Sequence, residues 1–155
     1  LERIDMNMKK IAALLIAAAA TASMAVSAFA ATPSVYLNGE KMTFDADPFI
    51  ENDRTLVPVR AIFEACGATV AWDQAYYTVI GTKNTTDEQG EQKLSTVILQ
   101  IDNTTAFVDT KPVELEVPAK VVQDRTFVPL RFIADSLGAD VDWNQDELRV
   151  DITTK

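Results

Sequence analysis

Residues 52–79 read NDRTLVPVRAIFEACGATVAWDQAYYTV, and residues 123–150 read QDRTFVPLRFIADSLGADVDWNQDELRV. The two stretches align without a gap at an offset of 71, and 13 of the 28 aligned pairs are identical. Because each copy of an internal repeat is one supersecondary unit, a repeat constrains the fold more than any other feature. We therefore predict two tandem copies, at residues 35–83 and 105–152.

Each copy predicts a short helix between a proline and a glycine. Pro58 and Pro129 are expected at the first helical position, where a missing amide hydrogen costs nothing. Gly67 and Gly138 follow and can end the helix by adopting a left-handed backbone. The apolar residues between them have the spacing of one helix face. They are Val59, Ile62, Phe63 and Cys66 in the first copy and Leu130, Ile133, Ala134 and Leu137 in the second.

Beyond each glycine the apolar period becomes two, which predicts a β-hairpin. Trp72 and Trp143 alternate with polar residues, so both indoles are expected on the core face, covering the helices. Asn38-Gly39 predicts an earlier two-residue hairpin, and Leu94–Ile101 predicts a further strand. The polar stretch 84–92 is expected to be a loop. The predicted fold class is α+β, an antiparallel sheet built from hairpins and packed on two short helices.

Residues 1–30 have the pattern of a targeting segment. Lys9 and Lys10 precede an alanine-rich apolar run over residues 11–26, and Ala28-Phe29-Ala30 fits a small-residue cleavage site. We predict a Sec-type signal peptide over residues 1–30, with extra upstream residues, cleaved after Ala30. Residues 31–155 would then form a single secreted or cell-surface domain without a transmembrane segment. The apolar run is also long enough to be retained as an anchor helix, which is the alternative.

The composition argues against several classes of function. The net charge of −9 opposes binding to nucleic acid, so no nucleic-acid partner is expected. The chain has no histidine, which removes the commonest metal ligand and general base, and we expect no cofactor and no metal. Its single cysteine, Cys66, has Leu137 as its repeat partner and is expected to be a small buried apolar residue.

Four strings carry a family resemblance: RTLVPVR at 54–60, RTFVPLR at 125–131, GATVAW at 67–72 and GADVDW at 138–143. The chain resembles the copper amine oxidase N-terminal domain-like family, also called stalk domains, from about residue 35 to residue 152. The resemblance implies a sheet twisted around helix. It also implies an accessory role, because in the oxidases catalysis and copper reside outside this domain. This sequence has neither histidines for copper nor the Asn-Tyr context of the oxidase cofactor tyrosine.

Four arginines recur at equivalent positions: Arg54, Arg60, Arg125 and Arg131. Guanidinium groups bind planar oxyanions, so these residues could form an anion clamp. The alternative is intramolecular pairing, of Arg60 with Glu64 and Arg131 with Asp135 at i, i+4 on the helices, and of Arg54 and Arg125 with the Asp53 and Asp124 turns.

Tyr76 and Tyr77 are the other candidate contact residues. The second copy has Glu147 and Leu148 at the equivalent positions, so the repeat unit does not require tyrosines there. We therefore select Tyr76, Tyr77, Arg60 and Arg131 as candidate ligand contacts. No catalytic residue is assigned.

The predicted function is a non-catalytic, exported cell-envelope module for binding, tethering or assembly. Its expected partner is cell-wall polysaccharide or another envelope protein. One alternative is a carboxylate-dependent hydrolase acting on wall polymers, which needs two carboxylates facing a cleft. The other alternative is a purely structural stalk that forms a weak homodimer.

Overall fold

The computed structural model describes residues 31–155, and the signal segment predicted at residues 1–30 lies outside them. The described chain is mostly β-sheet with two short helices, at 50% strand and 11% helix. The helices are α1 (Val59–Ala65) and α2 (Leu130–Ser136). The strands are β1 (Ser34–Leu37), β2 (Glu40–Lys41), β3 (Phe49–Glu51), β4 (Arg54–Pro58), β5 (Thr69–Asp73), β6 (Thr78–Thr86), β7 (Gln92–Gln100), β8 (Thr105–Val108), β9 (Lys111–Glu114), β10 (Lys120–Val122), β11 (Arg125–Pro129), β12 (Asp140–Asn144) and β13 (Arg149–Thr153).

Both helices lie where the proline and glycine pairs predict them. Pro58 and Pro129 are the N-cap residues, each with an extended ψ, so each helix begins one residue later than expected. Gly67 has φ +75° and Gly138 has φ +82°, which confirms the left-handed helix ends. The amide of Ala68 donates to the carbonyl of Phe63 at 2.8 Å, the backbone bond that closes such an end. No described helix is both long and apolar enough to span a bilayer.

The strands form three sheets, ordered β12-β13-β1-β2, β10-β11-β4-β3 and β5-β6-β7-β8-β9. The predicted Asn38-Gly39 hairpin joins β1 and β2, with φ values of 50° and 85°. The expectation of purely antiparallel pairing is wrong at one place, since β1 and β13 pair in parallel, with Ser34 opposite Arg149. The prediction considered only hairpins, which join strands that are neighbours in sequence. This pair instead joins the first and last strands of the described chain.

The predicted loop at residues 84–92 is strand at both ends, over residues 84–86 and at residue 92. β6 and β7 pair in register from Thr78 and Gln100 to Thr86 and Gln92, which leaves only residues 87–91 as the turn. The Asp87 carboxylate accepts the amides of Gln89 and Glu91 and holds this turn. The prediction is wrong at these ends because the stretch lacks apolar alternation, while threonine is a good strand former without it.

The helices bury their predicted apolar faces against the sheets. Ile62, Phe63, Ile133 and Ala134 are each 0% exposed, and Cys66 and Leu137 are buried beside them. Phe63 lies directly on Gly81 of β6, where a β-carbon would overlap the ring. The absence of a side chain at Gly81 is therefore what admits the Phe63 ring.

Candidate functional site

Two surface grooves lie beside the helices. The first, which we call the α2 groove, has a volume of about 580 Å³ and is bounded by the start of α2, by β12, by residues 53–55 and by residues 114–117. The second, the α1 groove, has a volume of about 450 Å³ and is bounded by the start of α1, by β5, by residues 124–126 and by residues 43–45. Most lining positions of one groove align with a lining position of the other, at the offset of the two sequence stretches. Both volumes are of the size of ordinary small-molecule sites.

The helices present charged residues to both grooves. Arg60 and Glu64 line the α1 groove, and Arg131 and Asp135 line the α2 groove. The predicted pair of Arg60 with Glu64 is present, with 3.9 Å between nitrogen and oxygen. The equivalent prediction is wrong, because Arg131 forms no ion pair with any carboxylate of residues 31–155. Arg60 and Arg131 occupy aligned positions on the two helices, although their ion pairing differs.

Two further arginines form ion pairs that join the two halves of the chain. Arg54 pairs with Glu116, and Arg125 pairs with Asp45 at 3.1 Å. The expected attachment to the aspartate turns is present only as a bond from Arg54 to the Asp53 carbonyl at 3.2 Å. Both ion pairs are exposed, so each contributes at most about 1 kcal/mol to stability. Both guanidinium groups already have a carboxylate partner, which favours the intramolecular alternative over the anion clamp considered from the sequence.

A tryptophan forms a wall of each groove. Trp143 is partly buried and packs on the main core, whereas Trp72 is 42% exposed, so its expected place on the core face is wrong. Each indole Nε1–H donates to the glutamine two residues later, at 2.9 Å from Trp72 to Gln74 and 3.0 Å from Trp143 to Gln145. Since the polar atom of each indole is satisfied, the ring face is what remains for a ligand.

The structure places Tyr77, but not Tyr76, next to a groove wall. The ring of Tyr77 meets the Trp72 ring edge-on, with 6.3 Å between centroids. Tyr77 is 57% exposed, so the aromatic surface of the α1 groove continues onto it. Tyr76 is 70% exposed and lines neither groove. Of the four predicted contact residues, Arg60 therefore lies in the groove that Trp72 and Tyr77 border, and Arg131 lies in the other.

The groups whose pKa values shift most clearly lie outside both grooves. Burial raises the pKa of the Cys66 thiol, which keeps it protonated and unreactive. The Thr96 amide, and then Lys93, lower the pKa of Asp109 in the turn between β8 and β9. The bond to Asp151 raises the pKa of Arg149, which also stacks on Tyr36 at 3.7 Å. The contacts of Asp109 and Arg149 hold a turn and join β13 to β1.

A comparison with protein-family models identifies the family of this chain. The model described as Copper amine oxidase N-terminal domain matches residues 36–152. The chain belongs to this family. A comparison with curated proteins finds no match. The copper amine oxidase N-terminal domain is an accessory, stalk-like domain, and both grooves of this member lie within the matched range.

The residues of this family member do not fit a copper ion. The chain contains no histidine, and among residues 31–155 no group of three cysteine, aspartate or glutamate side chains could hold a metal. Copper ions in proteins are typically bound by imidazole or sulfur ligands.

Sequence reasoning missed the cross-half ion pairs and the exposed face of Trp72. One signal was present, because Asp45 and Glu116 occupy aligned positions and are both acidic, as Arg54 and Arg125 are aligned and both basic. No comparable signal marks the exposure of Trp72, since alternation identifies the face of a strand but not what covers it.

Proposed function

We propose that this protein is a non-catalytic, exported cell-envelope module that acts by binding or tethering. The observation that carries the proposal is the family match over residues 36–152, because the matched domain is an accessory one. The two grooves support a binding role, since each combines an aromatic wall with charged residues in a concave surface. The expected partner remains cell-wall polysaccharide or another envelope protein.

We infer in addition that the two halves form a tandem repeat with pseudo-two-fold symmetry. The boundaries of α1 align with those of α2, and the boundaries of β5 align with those of β12. The lining positions of the grooves share the same offset. In each groove, the turn that carries Arg54 or Arg125 comes from the half that does not supply the helix. The two copies thus contribute equivalent turns to each other's groove, which supports the pseudo-two-fold relation.

The hydrolase alternative requires a protonated carboxyl group beside a carboxylate. The α2 groove does contain several carboxylates, including Asp53, Glu114 and Asp135. All three are exposed to solvent, and none lies in an enclosed apolar site. Glu116 is already paired with Arg54. The groove therefore favours binding over catalysis.

Sedimentation with purified bacterial cell walls tests the proposal. We expect the protein to pellet with walls, and retention should persist between about 50 and 500 mM salt, because a chain of net charge −9 does not bind anionic walls through ionic attraction. Urea-unfolded protein in the same assay is the control for non-specific adhesion. Absence of retention at every salt concentration contradicts the proposal. Release of reducing sugar from the walls identifies the hydrolase instead.

Sedimentation equilibrium separates binding from the purely structural stalk. A dimer that forms at high concentration without wall retention supports the structural alternative. A monomer that binds walls supports the proposed function. If the protein is a purely structural stalk, its weak homodimer must form through a specific interface. That dimer should then be detected in this experiment.

A further inference from the structure

The two grooves match each other position by position in their chemistry. Tryptophan is matched with tryptophan, the helix arginine with an arginine, and the helix acid Glu64 with Asp135. The turn pair Asp53-Arg54 in one groove corresponds to Asp124-Arg125 in the other. A ligand that fits one groove therefore finds the same kinds of groups in the second.

Each groove offers hydrogen-bond donors and acceptors side by side. Arg60 lies one helical turn from Glu64, and Arg131 lies one turn from Asp135. A guanidinium group only donates and a carboxylate only accepts. A ligand that satisfies both must donate and accept over a short distance, which a hydroxyl group does.

The mixed charges that line the grooves disfavour the two simplest ionic ligands. Carboxylates outnumber arginines in both linings, so an anionic polymer is repelled. Arg60 and Arg131 are exposed at the groove, so a basic peptide meets a cation at each site. A neutral ligand rich in hydroxyl groups is the class compatible with both kinds of side chain.

The tryptophans supply the remaining requirement of such a ligand. With Nε1–H already donated to Gln74 or Gln145, the part of each indole that lines its groove is apolar. A pyranose ring has an apolar face of C–H groups and a rim of hydroxyl groups. It can pack on an indole while its hydroxyls reach the helix arginine and acid. At the α1 groove, Tyr77 extends this surface for a neighbouring ring.

We propose that each groove binds a stretch of neutral polysaccharide, so that one chain carries two equivalent saccharide sites. This inference rests on the proposed binding function and names its ligand class. Arg60 and Arg131 bind sugar hydroxyls as ligand-contacting residues, and Trp72 and Trp143 stack on the sugar. The two sites serve repeated units of the same kind of polymer.

Isothermal titration calorimetry with cellohexaose, chitohexaose and mannohexaose tests the inference. Hexagalacturonate and hexalysine are the charged comparisons. We expect at least one neutral hexasaccharide to bind with two sites per chain, and neither charged oligomer to bind. Arg60→Gln and Arg131→Gln should each weaken one site by about tenfold or more, because each removes charge-assisted hydrogen bonds. The apparent stoichiometry then falls to one.

Matched controls keep the result interpretable. Lys41→Gln also removes one exposed cation but lies outside both grooves, so it should leave two sites intact. Urea denaturation of each variant shows whether it is folded, and the exposed helix positions of Arg60 and Arg131 make folding of both variants expected. The double variant should bind no hexasaccharide measurably.

Three results overturn the inference: no binding of any neutral hexasaccharide, two sites that persist in the double variant, or preference for a charged oligomer. The wall assay separates this failure from failure of the proposed function. If the wild type and the double variant are retained equally by walls, the envelope-binding function stands and the grooves are not its sites. If the wild type binds hexasaccharide but not walls, the saccharide sites stand and the envelope role falls.

Discussion

The packing of Phe63 on Gly81 predicts that a small residue at position 63 would be tolerated together with a large residue at position 81. In the first half a large helix residue lies on a strand position without a side chain. The aligned positions in the second half are Ala134 and Ile152, which reverse the sizes, and both are buried. We therefore expect the double variant Phe63→Ala, Gly81→Ile to reproduce in the first half the packing found in the second.

The structure sets the magnitudes of the single changes. Phe63 is 0% exposed, so Phe63→Ala leaves a cavity and should lower the free energy of unfolding by about 3–5 kcal/mol. A β-carbon alone on Gly81 already overlaps the ring, so Gly81→Ile forces a buried ring to move. We expect that change to cost about 3 kcal/mol or more.

The double variant should cost far less than the sum of its parts. The isoleucine fills much of the space that the ring leaves, so we expect a loss of about 2–3 kcal/mol and a coupling energy of at least about 3 kcal/mol. Urea unfolding followed by tryptophan fluorescence and by circular dichroism measures all four proteins and checks two-state behaviour. The reverse exchange, Ala134→Phe with Ile152→Gly, is the matched test in the second half. Additivity within about 0.5 kcal/mol would refute the reasoning.

Three further predictions concern groups outside the grooves. Cys66, which is 1% exposed, should resist a colorimetric thiol reagent in the native protein and react fully only in urea; rapid native reaction contradicts its burial. The pKa of Asp109 is lowered below 3.8 by the Thr96 amide, so its stabilisation is present at neutral pH and is lost as the pH falls through the folded-state pKa. Asp109→Asn should therefore cost about 1 kcal/mol at neutral pH and almost nothing once the carboxyl is protonated in acid, measured by urea unfolding. Lys83 donates to the Leu137 carbonyl at the end of α2, at 3.0 Å, and Lys83→Met should cost about 1–2 kcal/mol in the same assay, whereas an unchanged midpoint shows that water replaces the bond.

The sequence was sufficient where the determinants of structure are local. Gly67 and Gly138 mark the helix ends because a left-handed residue is a property of one position. Asn38-Gly39 marks a hairpin for the same reason. The helix faces followed from spacing alone, and their residues are buried as expected except Val59, which is partly buried.

The sequence was insufficient where structure depends on partners far along the chain. The parallel pairing of β1 with β13 and the ion pair of Arg54 with Glu116 each join distant segments. The strand pairing leaves no periodic signal, and the ion pair leaves only the aligned acidic and basic positions of the two halves. Trp72 has the same alternation as Trp143 and each lines a groove, but Trp72 is exposed whereas Trp143 packs on the main core. Arg60 and Arg131 were selected from the sequence, and the grooves in which they lie became visible only in the structure.

The parallel pairing of β1 with β13 has a mechanical consequence. A pulling force transmitted along the chain would act on the amino end of β1, at Ser34, and on the carboxyl end of β13, at Thr153. In a parallel pair these two points lie at opposite ends of the paired stretch, so tension loads the inter-strand hydrogen bonds in shear and all at once. The antiparallel hairpins, by contrast, would open one bond at a time if pulled at their free ends. A domain with this geometry resists stretching most strongly along its own chain direction, which is the direction in which a tether bears load.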